Sequence, residues 1–499
     1  MSLRQSWYIG TWLRSEAPAA AWRALVNVWV WGIGAMLTTD YLIIGSGTAG
    51  MSFADQLLTD TNATISIIDR HHMPGGHWND AYSFVRLHQP SAFYGVGSRQ
   101  LGSNRIDVSS LNRGYYELAS GPEIVSYFDR LMQERFLPSG RVQYFPMCDH
   151  LGDGRFVSLV SGTIQQVAFS KRLVHATFLN TQVPSTHTPS FQVAEGLKLV
   201  TPNLLPISAP GHQRYVILGG GKTAMDVGTW LLQMGVRPEN IRWIVPRDCW
   251  VQNRDTTQPG DAFFERSAGG MADRLEAAAE ATSVADLFER LERRGPMLRI
   301  DRTVWPTGFR GATLSILEVE ALRTIKDVVR KGRVRRIERD AIVLDEGTVD
   351  AAPVDLYVDC TAKAFSRRAP VPVFNGNQIT LQMLRIGRYS FSAAFIAHAE
   401  AVYGDDVIKN DLCAPISTPD VAADWPRNML SDLRNAKRWA AEKTLRTWIA
   451  EHRLSGAGFP DTGAASSPEG KRILERLREA RPRAAANLSR LVAEVDRPV

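Results

Sequence analysis

Gly45, Gly47 and Gly50 stand in the spacing Gly-x-Gly-x-x-Gly, and Asp69 follows them at the end of a second apolar run. This set can bind the pyrophosphate and ribose of a dinucleotide. Gly45 allows a tight turn, Gly47 lets phosphate approach the backbone, and Gly50 lets a helix pack close to a sheet. Asp69 is placed to accept the hydroxyls of an adenosine ribose. A second set, Gly219-Gly220-Gly221-Lys222-Thr223-Ala224, gives Gly-x-Gly-x-x-Ala, and Pro246-Arg247 stands where the first set has its acid. An arginine there favours a 2′-phosphate over a free 2′-hydroxyl, so the second site reads as one for NADP. The run Gly-Gly-Lys-Thr is not a P-loop, because the first glycine of that motif would fall on Val216.

Between these sets lie Met73-Pro74-Gly75-Gly76-His77-Trp78 and Arg86-Leu87-His88-Gln89-Pro90-Ser91. The paired glycines make a turn on which a flat ring system can lie. Trp78, His88 and Gln89 then supply stacking and polar contacts, though the same residues also read as a loop around a buried tryptophan. His77, Arg86 and His88 are the candidates for polar tuning near such a ring, and no pair of residues identifies an acid–base couple. Four cysteines, Cys148, Cys249, Cys360 and Cys413, lie far apart without metal or redox spacing. They fit a reducing, cytoplasmic compartment and argue against a disulfide framework.

The elements that must position these residues are visible in the hydrophobic periodicity. Tyr41-Leu42-Ile43-Ile44 reads as a buried strand, Met51, Ala54, Leu57 and Leu58 trace one helical face, and Thr64 to Ile68 is the returning strand. The second motif repeats the pattern with Arg214 to Leu218, the face Ala224, Val227, Leu231 and Met234, and the strand Ile241 to Val245. Glu123 to Phe136 is amphipathic, strand-like runs stand at 156–160 and 173–178, and prolines at 184, 189, 202 and 206 mark loops in this region. Helices are expected over 271–281 and 284–294, with strands at 333–337 and 342–344. Leu356 to Ala362 is a strand and small-residue turn, expected to return the chain to the first domain. Ser390 is a good N-cap type before the alanine-rich segment 391–401. The tail from Pro426 is helical, mixed in charge and broken at 456–467.

The chain has 499 residues and a net charge of +6, so two or three soluble domains are expected and no nucleic-acid partner is required. Ala24 to Leu37 is mostly apolar and follows Arg4, Arg14 and Arg23. It resembles a signal h-region or short anchor, yet falls short of the ~20 apolar residues that span a bilayer. It reads as an upstream extension, a packed surface helix or a membrane contact.

Two nucleotide motifs, the first ending in an acid and the second in an arginine, resemble the two-dinucleotide-binding-domain flavoproteins. Within these the chain is most similar to the flavin-containing and Baeyer–Villiger monooxygenase group. Gly75-Gly76-His77-Trp78 matches that group's Gly-Gly-x-Trp segment beside the flavin, and Asp359-Cys360-Thr361-Ala362 takes the place of its Ala-Thr-Gly crossover. The resemblance covers residues 38–110, 212–255 and 350–405, and departs at Val183 to Phe191, where the group's Phe-x-Gly-x-x-x-His fingerprint is absent. No cysteine lies between Asp69 and Cys148, so the Cys-x4-Cys of the related disulfide reductases is also missing.

The resemblance implies an α/β fold with two Rossmann-like domains, a helical insertion and a helical C-terminal tail. The expected division is an N-terminal extension (1–37), a first part of the FAD domain (38–210), and an NADP domain (211–350) with an insertion near 255–330. A second part of the FAD domain (351–415) and a helical region (416–499) follow. FAD is expected on Gly45, Gly47, Gly50, Asp69, Gly76, Trp78, Gln89, Thr361 and Ala362. NADPH is expected on Gly219, Gly221, Lys222, Thr223, Ala224 and Arg247. The activity implied is NADPH-driven oxygenation of a small organic molecule with O2, with Trp78 and the insertion as candidates for keeping water out. The alternative is a reductase that passes electrons to another acceptor.

Overall fold

The computed structural model describes residues 37–456 and 463–496. Apart from Leu37, the expected extension lies outside the described residues. The chain enters β1 (Leu37–Ile44), turns into α1 (Thr48–Asp60) and returns in β2 (Ile65–Ile68). After a long loop come α2 (Gly121–Leu131), closed by a Ser120–Glu123 capping box, and β3 (Val142–Phe145). A meander of β4 (Cys148–Gly152), β5 (Arg155–Ser158) and β6 (Ile164–His175) follows. β1 pairs in parallel with β2 on one side and β6 on the other, with Tyr41 opposite Ile65 and Ile44 opposite both Ile68 and His175. All four residues of β2 are buried, as a strand covered on both faces requires.

Two short strands, β7 (Gln192–Val193) and β8 (Lys198–Val200), lead to β9 (Tyr215–Leu218), α3 (Lys222–Gln233) and β10 (Ile241–Ile244). The chain then builds β11 (Cys249–Asn253), α4 (Phe264–Glu280), α5 (Val284–Arg294), β12 (Met297–Leu298) and β13 (Gly308–Leu314). It continues through α6 (Ile316–Arg323), β14 (Asp327–Val329), β15 (Val334–Ile337), β16 (Ala341–Leu344), β17 (Gly347–Asp350) and β18 (Leu356–Asp359). The second sheet runs β14-β10-β9-β18-β8 with every pair parallel. β7 joins β15, β16 and β17 in a separate four-stranded sheet.

The last part of the chain comprises β19 (Phe374–Asn375), β20 (Gln378–Thr380), α7 (Tyr389–Val402), α8 (Asp424–Ala441), α9 (Lys443–Glu451) and α10 (Pro468–Val495). β20 pairs with β6, and α7 packs beside α1, so this is where the chain rejoins the first domain. α4, α5, α8 and α10 share one core with Trp250, Phe288 and Leu488. The insertion and α10 therefore share one helical body, while Trp439, Leu445 and Ile449 of the tail pack into the core of the first domain.

Two expectations are corrected by this topology. β18 does not begin the return to the first domain but closes the second sheet beside β9. β8, placed ahead of residue 211, also belongs to the second sheet, so the divisions at 210 and 350 do not follow the sheets. In both cases the reason is that a short parallel strand carries no sequence mark of which neighbour it will pair with.

Ser390 is not the N-cap of its helix. Arg388 holds that position, and the Ser390 hydroxyl is instead 2.8 Å from that of Thr48.

Candidate functional site: two glycine turns at parallel sheets

Each glycine turn sits at the C-terminal end of its sheet's central strand, where open α/β sheets bind ligands. Gly45 has φ +103° and Gly219 φ +121°, so both turns need a residue without a side chain. A Cβ on Gly50 would lie 2.0 Å from the Gly45 carbonyl oxygen, which explains the third glycine as a packing requirement. α1 begins at Gly47 and α3 at Gly221, and neither N-cap has a side-chain hydrogen bond or an acid in the following turn. The first N–H groups of both helices are thus open to an anion, as a pyrophosphate site requires. A Cβ on Gly221 would meet nothing within 4 Å, whereas one on Gly47 would lie 3.6 Å from Gly76 Cα. The first turn is roofed by the Gly75-Gly76 loop, and the second is open.

Asp69 follows β2, 7 % exposed. Its Oδ2 accepts the Ser46 N–H at 2.5 Å and the Ser46 hydroxyl at 2.8 Å. Its Oδ1 accepts the His71 N–H at 2.8 Å and faces His71 Nδ1 at 2.9 Å. Trp78 donates Nε1–H to Tyr94 Oη at 2.7 Å, and its ring meets that of Tyr94 edge-on. Burial pushes the neighbouring His77 down to about 4. Gln89 reaches the Gly387 carbonyl at the start of α7 at 3.5 Å, while Arg86 is exposed and donates to the Leu118 carbonyl.

The two domains are latched where Lys222, Thr223 and His88 meet side chains that the sequence did not mark. Tyr82 donates to Asp226 on α3 at 2.7 Å, and Lys222 is ion-paired to the same carboxylate. Thr223 also hydrogen-bonds Tyr82. Phe84 stacks on Trp230, with ring centroids 4.9 Å apart. His88 Nδ1 accepts the Thr313 N–H at 3.1 Å, which leaves the ring proton on Nε2. Burial, with Lys222 and Arg254 nearby, pushes His88 down to about 3. Arg254 is fully buried, paired to Glu318 at 2.6 Å and donating to the His88 carbonyl and the Asn112 side chain. Lys222, Thr223 and His88 thus meet at one domain boundary.

At the crossover, Thr361 donates to Asp359 at 2.6 Å, and His187 Nε2 is 3.2 Å from its hydroxyl. Ala362 follows in the loop. Ala224 takes the place of the third glycine in the second motif and is fully buried. His187 lies in the stretch that lacked the expected fingerprint, and no spacing rule applied there would have found it.

Arg247 leaves the second turn and pairs with Asp420 at 2.6 Å. The same carboxylate oxygen takes Arg310 at 2.8 Å and Arg367. Despite burial, Arg247 and Arg310 hold Asp420 at about 2. Three cations on one anion leave a net positive corner beside the turn. Beside the same turn lies a cavity of about 370 Å³, lined by Gly220, Trp243, Asp248, Arg302, Arg323 and Arg330 among others. Among the described residues no cluster of His, Cys, Asp and Glu could hold a metal, and no helix is long and apolar enough to cross a membrane.

A family model described as an NAD(P)-binding Rossmann-like domain matches residues 43–95, the first glycine turn and its loop. Among solved structures, a polycyclic ketone monooxygenase from Thermothelomyces thermophila is 12 % identical, with a TM-score of 0.48 over 95 % of this chain and 91 % of its own. A flavin monooxygenase from Stenotrophomonas maltophilia is 16 % identical, with a TM-score of 0.43 over 74 % of this chain and 100 % of its own. Much closer in sequence is an uncharacterized protein of Mycobacterium tuberculosis, 50 % identical over 419 residues, or 84 % of this chain and 78 % of its own. A counterpart in Mycobacterium bovis matches with the same figures. With half of 419 aligned residues identical, over most of both lengths, the chain belongs to the same family as these mycobacterial proteins.

Proposed function

We propose that the protein is an FAD-dependent oxidoreductase that oxidises NADPH and uses O2 to oxygenate a small organic substrate. The observation that carries this reading is the pair of uncapped glycine N-termini, Gly47 and Gly221, each at the end of a parallel sheet. Two dinucleotides are what two such turns accommodate. The chemistry of bound FAD and NADPH is hydride transfer between them and, with O2, oxygen transfer to substrate.

The residues present fit this assignment. Gly45, Gly47, Gly50 and Gly76 shape the FAD turn, Asp69 stands at the ribose end, and Trp78 and Gln89 line the ring side with Thr361 and Ala362 at the crossover. Gly219, Gly221 and Ala224 shape the NADPH turn, and Lys222 and Thr223 open its helix. Arg247, with Arg310 and Arg367 around Asp420, supplies positive charge for a 2′-phosphate, and the basic-rimmed cavity beside Gly220 fits the adenosine half. His77 and His88 are neutral at pH 7, so they serve as hydrogen-bonding groups rather than stored protons; Arg86 is the outlying member of that set. Trp78, clamped by Tyr94, helps to exclude water from the ring side.

Oxygen uptake with labelled dioxygen tests the reading. NADPH consumption that places label in a ketone, sulfide or amine product supports it. NADPH consumption with an added electron acceptor, and no label in any product, favours the reductase alternative.

A further inference from the structure

Asp69 is the residue that a ribose must approach if FAD binds as proposed, yet its acceptors are already in use. An ionised carboxylate offers about four lone-pair positions. Ser46 N–H, Ser46 Oγ, His71 N–H and the His71 ring take four. A ribose hydroxyl can therefore donate to Asp69 only by displacing one of these donors. The two N–H groups are fixed by the backbone. Ser46 is wholly buried, and its hydroxyl also faces Tyr144 Oη at 3.4 Å. The His71 side chain is the one that can move: it is 20 % exposed, and its Nε2 holds a second carboxylate, Asp80 Oδ2, at 2.8 Å.

We infer that the His71 ring is a displaceable occupant of the ribose position, swinging on Asp80, and that it makes dinucleotide binding at the first turn proton-linked. This rests on the FAD reading of that turn. The hydrogen bond to Asp69 raises the His71 pKa, opposed by partial burial and reinforced by Asp80. The charged or titratable groups around the ring are Asp69, Asp80 and His77, and His77 is neutral at pH 7. In the free protein each ring nitrogen of His71 faces a carboxylate, which favours the charged ring. When ribose takes its place at Asp69, the ring keeps only Asp80, and its proton affinity falls. Binding then releases a proton, so affinity drops as the pH falls through the raised pKa. The backbone of Asp80 is itself held, since its main-chain carbonyl accepts the Ser185 hydroxyl at 2.6 Å and the Asn203 amide at 2.9 Å.

The test is titration of flavin-free protein with FAD, followed by quenching of flavin fluorescence, with the wild type, His71→Gln and Asp80→Asn. For the wild type the dissociation constant should be at least about twofold larger near pH 6 than near pH 8, because the charged ring must give up its proton on binding. His71→Gln should bind at the lower pH as tightly as the wild type does at the higher, with no slope. Asp80→Asn, which weakens the hold on the proton, should show a smaller span, and it carries the test if the first variant does not fold. An unchanged slope in both variants, or weaker binding by His71→Gln at both pH values, overturns the inference. No saturable quenching by the wild type at either pH would overturn the FAD reading itself, and the inference with it.

Discussion

Arg247 and Asp420 are 2.6 Å apart, and they join the loop after β10 to the segment before α8. The sequence leads one to expect Arg247 beside a nucleotide phosphate; in the structure it is held by a carboxylate that also binds Arg310 and Arg367. A hydrogen bond to a charged group is worth about 1.5–3 kcal/mol. Arg247→Ala should therefore raise the KM for NADPH about tenfold or more, at about 1.4 kcal/mol per decade. The KM for NADH should hardly change. Equal losses for both would show that Arg247 serves the fold through Asp420.

The two glycine turns differ in how crowded they are, and this separates binding from folding. Gly221→Val places its Cβ in open space, so melting temperature and flavin content should be kept while NADPH bleaching of the flavin is lost. Gly47→Val pushes methyl groups toward Gly76, and the yellow chromophore should disappear. A Gly47→Val protein with full flavin occupancy would place the flavin elsewhere.

Buried neutral histidines give the fold an acid limit. His77 and His88 lie at about 4 and about 3, below the ordinary value of 6.5. Unfolding frees them to bind protons, so stability falls as the pH drops below the unfolded value and is retained above it. His88→Gln should flatten the decline in denaturation midpoint between about pH 6.5 and pH 4. An identical pH profile for this variant would contradict the burial-driven shift.

The start of α7 carries a separate prediction. Phe391 is fully buried against Trp439 and Trp448, so Phe391→Asp should destabilise the fold by at least the ~3–5 kcal/mol of emptying such a site. Arg388, at the helix N-cap, has its guanidinium over the Phe93 ring and a buried Nη1 without a partner. Burial pushes Arg388 down to about 9. Removing an unsatisfied buried donor recovers about 1–3 kcal/mol. Arg388→Met should therefore raise the melting temperature of the flavin-free protein. An unchanged or lower melting temperature would show that the guanidinium is satisfied where it stands.

Much of this was legible in the sequence because it is local. Periodicity located β1, α1 and β2 around the first turn, and β9, α3 and β10 around the second, since strand–turn–helix units are written in adjacent residues. α5 falls on Val284–Arg294 as its spacing predicts. What was not legible is what depends on distant partners. Tyr82 with Asp226, and His187 with Thr361, are separated by more than a hundred residues and carry no motif. Ser390 has the chemistry of an N-cap, but the nearness of Thr48 gives its hydroxyl another partner. Strand membership failed for the same reason: Leu356–Asp359 is apolar enough for either sheet, and only tertiary packing chooses β9.

The most direct test of the central claim is the visible spectrum of the purified protein, reconstituted with FAD and titrated without oxygen. The account predicts a bound flavin spectrum that bleaches on addition of NADPH, at much lower concentrations than NADH requires. A protein that retains no flavin, or whose flavin keeps its full colour with both nicotinamides, would contradict it.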